Sequence, residues 1–236
     1  MSARTRLRLA ASLVVVASIV VGPSSARAEP VGPLVRAAEG DGAATSVHAV
    51  YASFGLDGAF AATLGAATGL SGAGQRIALD GWADLTWAAG DVDARDMRYR
   101  VGARVDAVRA GGFRLRVALA PALRTTSNLG FRATALSTEL RLSPGFHDER
   151  WSAELDLGLE QTWLTYIAPT DAYRASVYDG ARSGWYGTTA RTLRVGVAGA
   201  LRLDPVEVTL RVGLERTGSL DFLPGVYGAL GAAYRF

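Results

Sequence analysis

Between Met97 and Ala107 apolar and polar positions take turns without a break. Met97, Tyr99, Val101, Ala103, Val105 and Ala107 fall on one face, and Arg98, Arg100, Arg104 and Asp106 on the other. A period of two is the mark of a strand with unlike faces. After a tight turn at Ala110-Gly111-Gly112 the alternation resumes. Phe113, Leu115, Val117, Leu119 and Leu123 stand against Arg114, Arg116 and Arg124. Pro121 has no N–H to give to a ladder, so a bulge or a strand end is expected there.

The same pattern recurs along the chain. Ile77 to Trp87 sets Ile77, Leu79, Ala83, Leu85 and Trp87 against Asp80, Asp84 and Thr86, with Trp82 out of place on the polar side. Trp151 to Trp163 sets Trp151, Ala153, Leu155, Leu157, Leu159 and Trp163 against Glu154, Asp156 and Glu160. Leu193, Val195, Val197, Leu201 and Leu203 oppose Arg194 and Arg202; Val206, Val208, Leu210, Val212 and Leu214 oppose Glu207, Arg211 and Glu215. A weaker segment carries Leu136, Leu140 and Leu142 on one face. Two further segments, 46–55 and 59–68, are joined by Leu56-Asp57-Gly58 and read as a hairpin. With the closing segment 226–236 this gives ten strands, eight being the alternative.

Alternation alone does not say which face is enclosed. In a soluble sandwich the apolar face points inward; in a membrane barrel it faces lipid. Strand length favours the barrel. Trp151 and Trp163 share a face and lie 12 residues apart, roughly 40 Å of strand at ~3.3 Å per residue. A tilt of about 40° brings that near the spacing of two aromatic girdles around an apolar band of ~25 Å. Trp87, Trp151 and Trp163 are the girdle candidates. The connections also alternate. With the C-terminus inside, 89–96, 125–130, 166–187 and 217–225 fall outside, while 110–112, 143–150 and Asp204-Pro205 fall inside. An even strand number keeps both termini on one side.

Composition changes this picture in three places. The formal charge of +3 is misleading, because the first 28 residues hold Arg4, Arg6, Arg8 and Arg27 and no acid. Without them, 21 basic residues face 22 acidic ones, and nothing points to nucleic acid. That leader reads as a signal peptide. Arginines precede an apolar run from Leu9 to Val21, and Ala26 and Ala28 occupy the small-residue positions of a cleavage site after Ala28. Residues 29–44, rich in Pro, Gly and Ala, read as a flexible periplasmic lead-in, and 45–236 as the barrel. Finally, cysteine is absent, which excludes thiolate catalysis and zinc–thiolate sites.

The chain ends Val226-Tyr-Gly-Ala-Leu-Gly-Ala-Ala-Tyr-Arg-Phe236. Val226, Gly228, Leu230, Ala232, Tyr234 and Phe236 share a face, and the last residue is aromatic. This resembles the closing strand of bacterial outer-membrane β-barrel proteins, of the small OmpA/OmpX type. The resemblance implies an all-β transmembrane antiparallel up-and-down barrel in the outer membrane. It also implies that Leu230, Ala232, Tyr234 and Phe236 are read by the barrel assembly machinery. Gly228 departs from the large apolar residue usual at its place. Lipid and lipopolysaccharide are the surroundings it implies.

A narrow barrel must fill its interior. Here the inward set is ionic. Arg98, Arg100, Arg104, Arg114, Arg116, Arg124 and Arg132 gather on neighbouring strands, opposite Glu154, Asp156 and Glu160 and beside Glu207, Arg211 and Glu215. Buried charges must pair or stay wet, so an Arg–carboxylate network is expected, with Arg suited by its bidentate fork. The same charges could instead line a narrow channel for ions or small solutes.

No catalytic constellation stands out. His48 is followed by Ala49 and Val50, so no serine comes two residues after it on its face. His147, in Phe-His-Asp-Glu-Arg, reads as part of a solvated turn. Two separated histidines make no metal site, and no cofactor is called for. Glu154, Asp156 and Glu160 could serve acid–base chemistry in a membrane-embedded lipid or peptide hydrolase, but facing arginines would hold them ionised. The richest loop is 166–187, with Tyr173, Arg174, Tyr178, Arg182, Trp185 and Tyr186. Tyr, Trp and Arg are the residues enriched in binding hot spots. The surface ligand is unspecified.

Overall fold

The computed structural model describes residues 45–57, 59–71, 78–89, 95–187, 190–218 and 224–236. The leader 1–28 and the lead-in 29–44 lie outside the described residues. The alternating segments form β1 (Thr45–Asp57), β2 (Ala59–Ser71), β3 (Ala78–Ala88), β4 (Met97–Ala110), β5 (Phe113–Ser127), β6 (Phe131–His147) and β7 (Trp151–Pro169). A short helix, α1 (Asp171–Ser176), and a short strand, β8 (Gly184–Gly187), precede β9 (Arg191–Leu203), β10 (Val206–Thr217) and β11 (Gly225–Arg235). All strands belong to one antiparallel sheet, in which neighbours in sequence pair, except that β9 pairs with β7 and not with β8. β11 pairs back to β1 from Ala49↔Arg235 to Asp57↔Tyr227, and β6 pairs with β7, so ten strands close into a ring. β8 stands outside that ring, paired to the far end of β7. Closure leaves no long edge for another chain to pair with.

The polarity is inverted relative to a soluble protein. Leu64, Val101, Leu119, Leu155, Val195 and Leu210 are each about half exposed or more, and point away from the barrel axis. Arg100, Asp84, Glu139, Asp156 and Glu207 are buried inside. An apolar exterior over an ionic interior suits hydrocarbon, where every backbone group must be satisfied within a closed sheet. Short turns at 111–112, 148–150 and 204–205 gather with Phe236 at one end, called here the turn end. The strand ends that lead into the longer connections, at Pro169, Arg191, Thr217 and Gly225, gather at the other, the loop end.

Four expectations need correction. Pro121 neither ends β5 nor bulges it. The ladder to β6 runs through Pro121↔Thr138, and only the pairing to β4 lapses, between Arg100↔Ala122 and Ala103↔Leu119, with the register kept. The missing donor therefore falls on the β4 side. The β4–β5 irregularity comes instead at Asp106/Val108.

The connection 143–150 is mostly strand. β6 continues through Ser143, Pro144 and Gly145 to His147, leaving 148–150 as the turn. Gly145 permits this, since a Cβ there would lie 2.4 Å from the Ala153 carbonyl oxygen. His147 is thus a lumen residue and not part of a solvated turn.

The loop 166–187 is also shorter than expected. β7 extends to Pro169, and α1 and β8 order part of the rest. Thr170 caps α1, its hydroxyl accepting from the Tyr173 N–H, and Asp171 occupies the acid-favouring first turn. Finally, β7 carries a bulge. Leu136 pairs with Leu164 but Ser137 with Thr162, so Trp163 is the extra residue. Trp163 and Leu164 both face outward, which strict alternation does not allow.

Candidate functional site: the lumen and the loop-end rim

Parity sends the even-numbered residues of β3, β5 and β9, and of β4 and β7 up to their bulges, into the lumen, with the odd-numbered ones of β1, β2, β6, β10 and β11; past the β4 bulge it is Arg109 that turns inward, to Asp106. One sector of the wall, β1, β2 and β11, presents small residues: Ala49, Ser53, Ala61, Thr63, Ala229 and Ala233. Three aromatic side chains fill the space in front of it by lying flat on glycines of neighbouring strands. A Cβ on Gly65 would meet the Tyr51 ring at 2.3 Å, and one on Gly102 the Trp82 ring at 2.2 Å. One on Gly213 would meet the Tyr227 ring at 2.7 Å. Trp82, which broke the alternation, is therefore a filler packed beside Tyr51. Both tyrosines reach carboxylates with their hydroxyls: Tyr51 donates to Asp84 at 2.7 Å and Tyr227 to Asp156 at 2.9 Å.

The rest of the wall is ionic and connected. Arg100 donates to Asp84 through Nε and Nη2 at 3.0 and 2.8 Å, and to Glu139 through Nη1 at 2.8 Å. Glu139 also pairs with Arg141 and, at 3.5 Å, with Arg98. Arg98 continues to Glu160 at 3.0 Å, and Arg194 joins Glu160 to Glu215 at 3.6 and 3.2 Å. Arg141 and Arg211 meet on Asp156 at 3.6 and 3.0 Å. One chain of charges thus links β3, β4, β6, β7, β9 and β10 across the interior. Arg104 pairs with Asp80 at 2.6 Å.

Towards the turn end lies a second group. Asp106 receives Arg109 at 2.9 Å, Arg114 at 3.4 Å and Arg116 at 3.4 Å. Arg116 reaches Glu154 at 3.5 Å and His147 Nδ1 at 3.1 Å. Arg235 approaches Glu207 at 3.9 Å, and at the loop end Arg124 meets Asp96 at 3.3 Å. A cavity of about 30 Å3, lined by Trp82, Arg104, Arg116, Glu139, Glu154 and Arg211 among others, has room for about two waters.

Of the lumen residues singled out from sequence, Arg132 is misplaced. It follows the parity of Leu136 and Leu140 and is exposed on the outer wall, opposite Ala168 of β7. Sequence reasoning left out Glu139 and Arg141, because the weak alternation of their segment hid them. It also left out Tyr51, Tyr227 and Arg235, which parity alone would have found.

The girdle candidates sit at both ends of the wall, Trp151 at the turn end and Trp87 and Trp163 at the loop end. Trp163 donates its indole N–H to Thr138 Oγ1 at 3.1 Å. Leu230, Tyr234 and Phe236 face outward on β11, and the Phe236 backbone bonds to His48 in both directions at 2.9 and 3.2 Å. In the loop, Arg174 is tied to Asp171, the Ala181 carbonyl and Ser183, and Tyr173 is half-buried. Tyr178, Arg182, Trp185 and Tyr186 remain exposed. Trp185 packs on Tyr166, ring centroids 5.3 Å apart.

No protein-family model and no curated protein matches the chain. Among solved structures it is similar to the attachment invasion locus protein Ail of Yersinia pestis, at 15% identity and a TM-score of 0.37, over 83% of this chain and 99% of that one. It is similar to the beta domain of the Bordetella autotransporter BrkA, at 17% identity and a TM-score of 0.38, over 82% and 99%. The translocator domain of the autotransporter NalP from Neisseria meningitidis is 11% identical, with a TM-score of 0.38, over 84% and 90%. Closed, antiparallel and even-stranded, apolar outside and ionic within, the architecture is that of an outer-membrane β-barrel.

Proposed function

We propose that this chain is a non-enzymatic integral protein of the bacterial outer membrane whose lumen is closed by its own charges. Its working surface is then the loop end. One observation carries this reading: the ion network runs across the lumen from β3 to β10. Arg100 sits between Asp84 and Glu139, all three side chains almost wholly buried, 1%, 0% and 4% exposed. An eight-stranded barrel is just filled by ordinary side chains. Ten strands leave more space, and Arg, Tyr and Trp are the sizes that take it up. The cavity beside Trp82, Arg104 and Glu154 has room for about two waters.

The same geometry argues against hydrolysis. Glu154 and Asp156 are held by arginines, and His147 lies inside the wall, away from lipid and from loop-end solvent. Surface contact falls to Tyr178, Arg182, Trp185 and Tyr186, displayed on a rigid rim. Leader removal after Ala28 and recognition of the closing strand by the assembly machinery would precede insertion. Lipid and lipopolysaccharide are the expected neighbours.

Planar-bilayer recording of the purified barrel tests the reading. It predicts a quiet baseline without stable unit openings. Reproducible openings of fixed size would replace the plug with a narrow channel.

A further inference from the structure

The outer wall carries an asymmetry that the lumen does not explain. Among the described strand residues that face outward, three are charged, and all three are arginines at the loop end: Arg132 on β6, Arg191 on β9 and Arg216 on β10. Among the described strand residues no outward carboxylate accompanies them, and the turn end of the wall has no such arginine.

Arg191 and Arg216 are neighbours. Arg216 pairs with Leu193, two residues from Arg191, which places the two arginines on a diagonal of about 7–8 Å between adjacent strands. Arg191 pairs with Gln161 of β7, whose Oε1 accepts from its Nε at 2.7 Å. The Gln161 side-chain amide is fixed in turn by donating to the Thr162 carbonyl at 2.7 Å. The guanidinium of Arg191 is therefore aimed, with its Nη donors free of protein partners among the described residues. Trp163 stands two residues further along β7, 58% exposed.

Depth identifies what meets them. Below the pair, the wall is apolar from Leu193 to Leu203 on β9 and from Leu214 to Val206 on β10. Ten residues of tilted strand cover about 25 Å, the height of a hydrocarbon band. The arginines stand just above its edge, in the headgroup layer, where an outward Arg costs far less than at the bilayer midplane. Two like charges on a diagonal repel unless an anion lies between them, and the planar guanidinium fork suits phosphate oxygens.

We propose that Arg191 and Arg216 together hold the phosphate of an anionic membrane lipid against the outer wall at the loop end, with Gln161 positioning Arg191 and Trp163 lying beside the headgroup. This rests on the reading that the barrel spans a membrane. Arg132, farther out along β6, adds to the same positive rim.

The test uses the full folded chain, inserted into vesicles of phosphatidylcholine with a minor share of phosphatidic acid. Insertion is checked first by resistance to unfolding on a cold gel. Lipid that stays bound on gentle extraction is then identified by native mass spectrometry. The wild type should retain phosphatidic acid several-fold over its share of the vesicle. Arg191→Gln/Arg216→Gln should bring the ratio close to one, with Arg216→Gln alone as the fallback should the double variant not fold. Arg202→Gln, at the turn end where Arg202 is tied to Asp204, should leave the ratio unchanged. Inorganic phosphate, added to extracts from pure phosphatidylcholine vesicles, should not stay bound. A double variant that keeps the preference, or inorganic phosphate retained as well as the lipid, overturns the proposal while leaving the membrane reading intact. Failure of the wild type to insert overturns both.

Discussion

At the scale of single residues the lumen is governed by a demand that every charge be matched. Three arginines, Arg98, Arg100 and Arg141, converge on Glu139. Removing one partner of a buried ionic group is costly, about 3–5 kcal/mol. Glu139→Ala should therefore destabilise the folded barrel by about that much in urea titrations in detergent. A loss under about 1 kcal/mol would mean that water already carries these charges. The glycine contacts give a sharper test. Gly65→Ala pushes a Cβ into the Tyr51 ring and should cost about 1–3 kcal/mol. In a Tyr51→Ala background the clash is gone, so the cost of Gly65→Ala should largely vanish. Simple additivity in that double-mutant cycle would remove the interlock from the account.

At the scale of elements, the alternation in β4, β5, β9 and β10 was strong enough to read face by face, because each strand has Leu or Val on one side and Arg or Glu on the other. Legibility failed where a local feature has no signature in period two. Pro144-Gly145 looks like a turn, yet β6 runs through it because Gly145 lets the backbone of β7 come close. Trp163 looks like an ordinary outward residue, yet it is a bulge. Arg132 has the residue type of the lumen but the parity of Leu136, and parity decides its face. Element boundaries also bear on the loop. α1 and β8 are held by local bonds, Thr170 to Tyr173 and Arg174 to Ala181, and β8 lies outside the closed ring. Deleting 171–183 should leave assembly and the cold-gel mobility of the folded form unchanged, while abolishing any partner contact made at the loop end. Loss of the folded form would show that the loop is part of the barrel's stability.

For the whole molecule, the closed ring and its ten strands follow from segment lengths and from the pairing of β1 with β11, and both were within reach of the sequence. The direction of the apolar faces was open to it only by dimension. A soluble sandwich and a membrane barrel write the same alternation, and differ in what closes on what. The charge network was legible as a need and not as a set of pairs, since partners such as Glu139 and Arg100 are 39 residues apart and meet only through register.

Which side of each strand meets hydrocarbon can be measured directly, because the chain has no cysteine. Single cysteines introduced from Leu193 to Leu203 of β9, spin-labelled in reconstituted vesicles, would be compared for access to oxygen and to a water-soluble nickel relaxant. Oxygen access should peak at the odd positions, Val195, Val197 and Leu201, and stay low for both agents at Arg194 and Ala198. Nickel access at the odd positions, or an oxygen profile without a period of two, would contradict an apolar face turned to hydrocarbon.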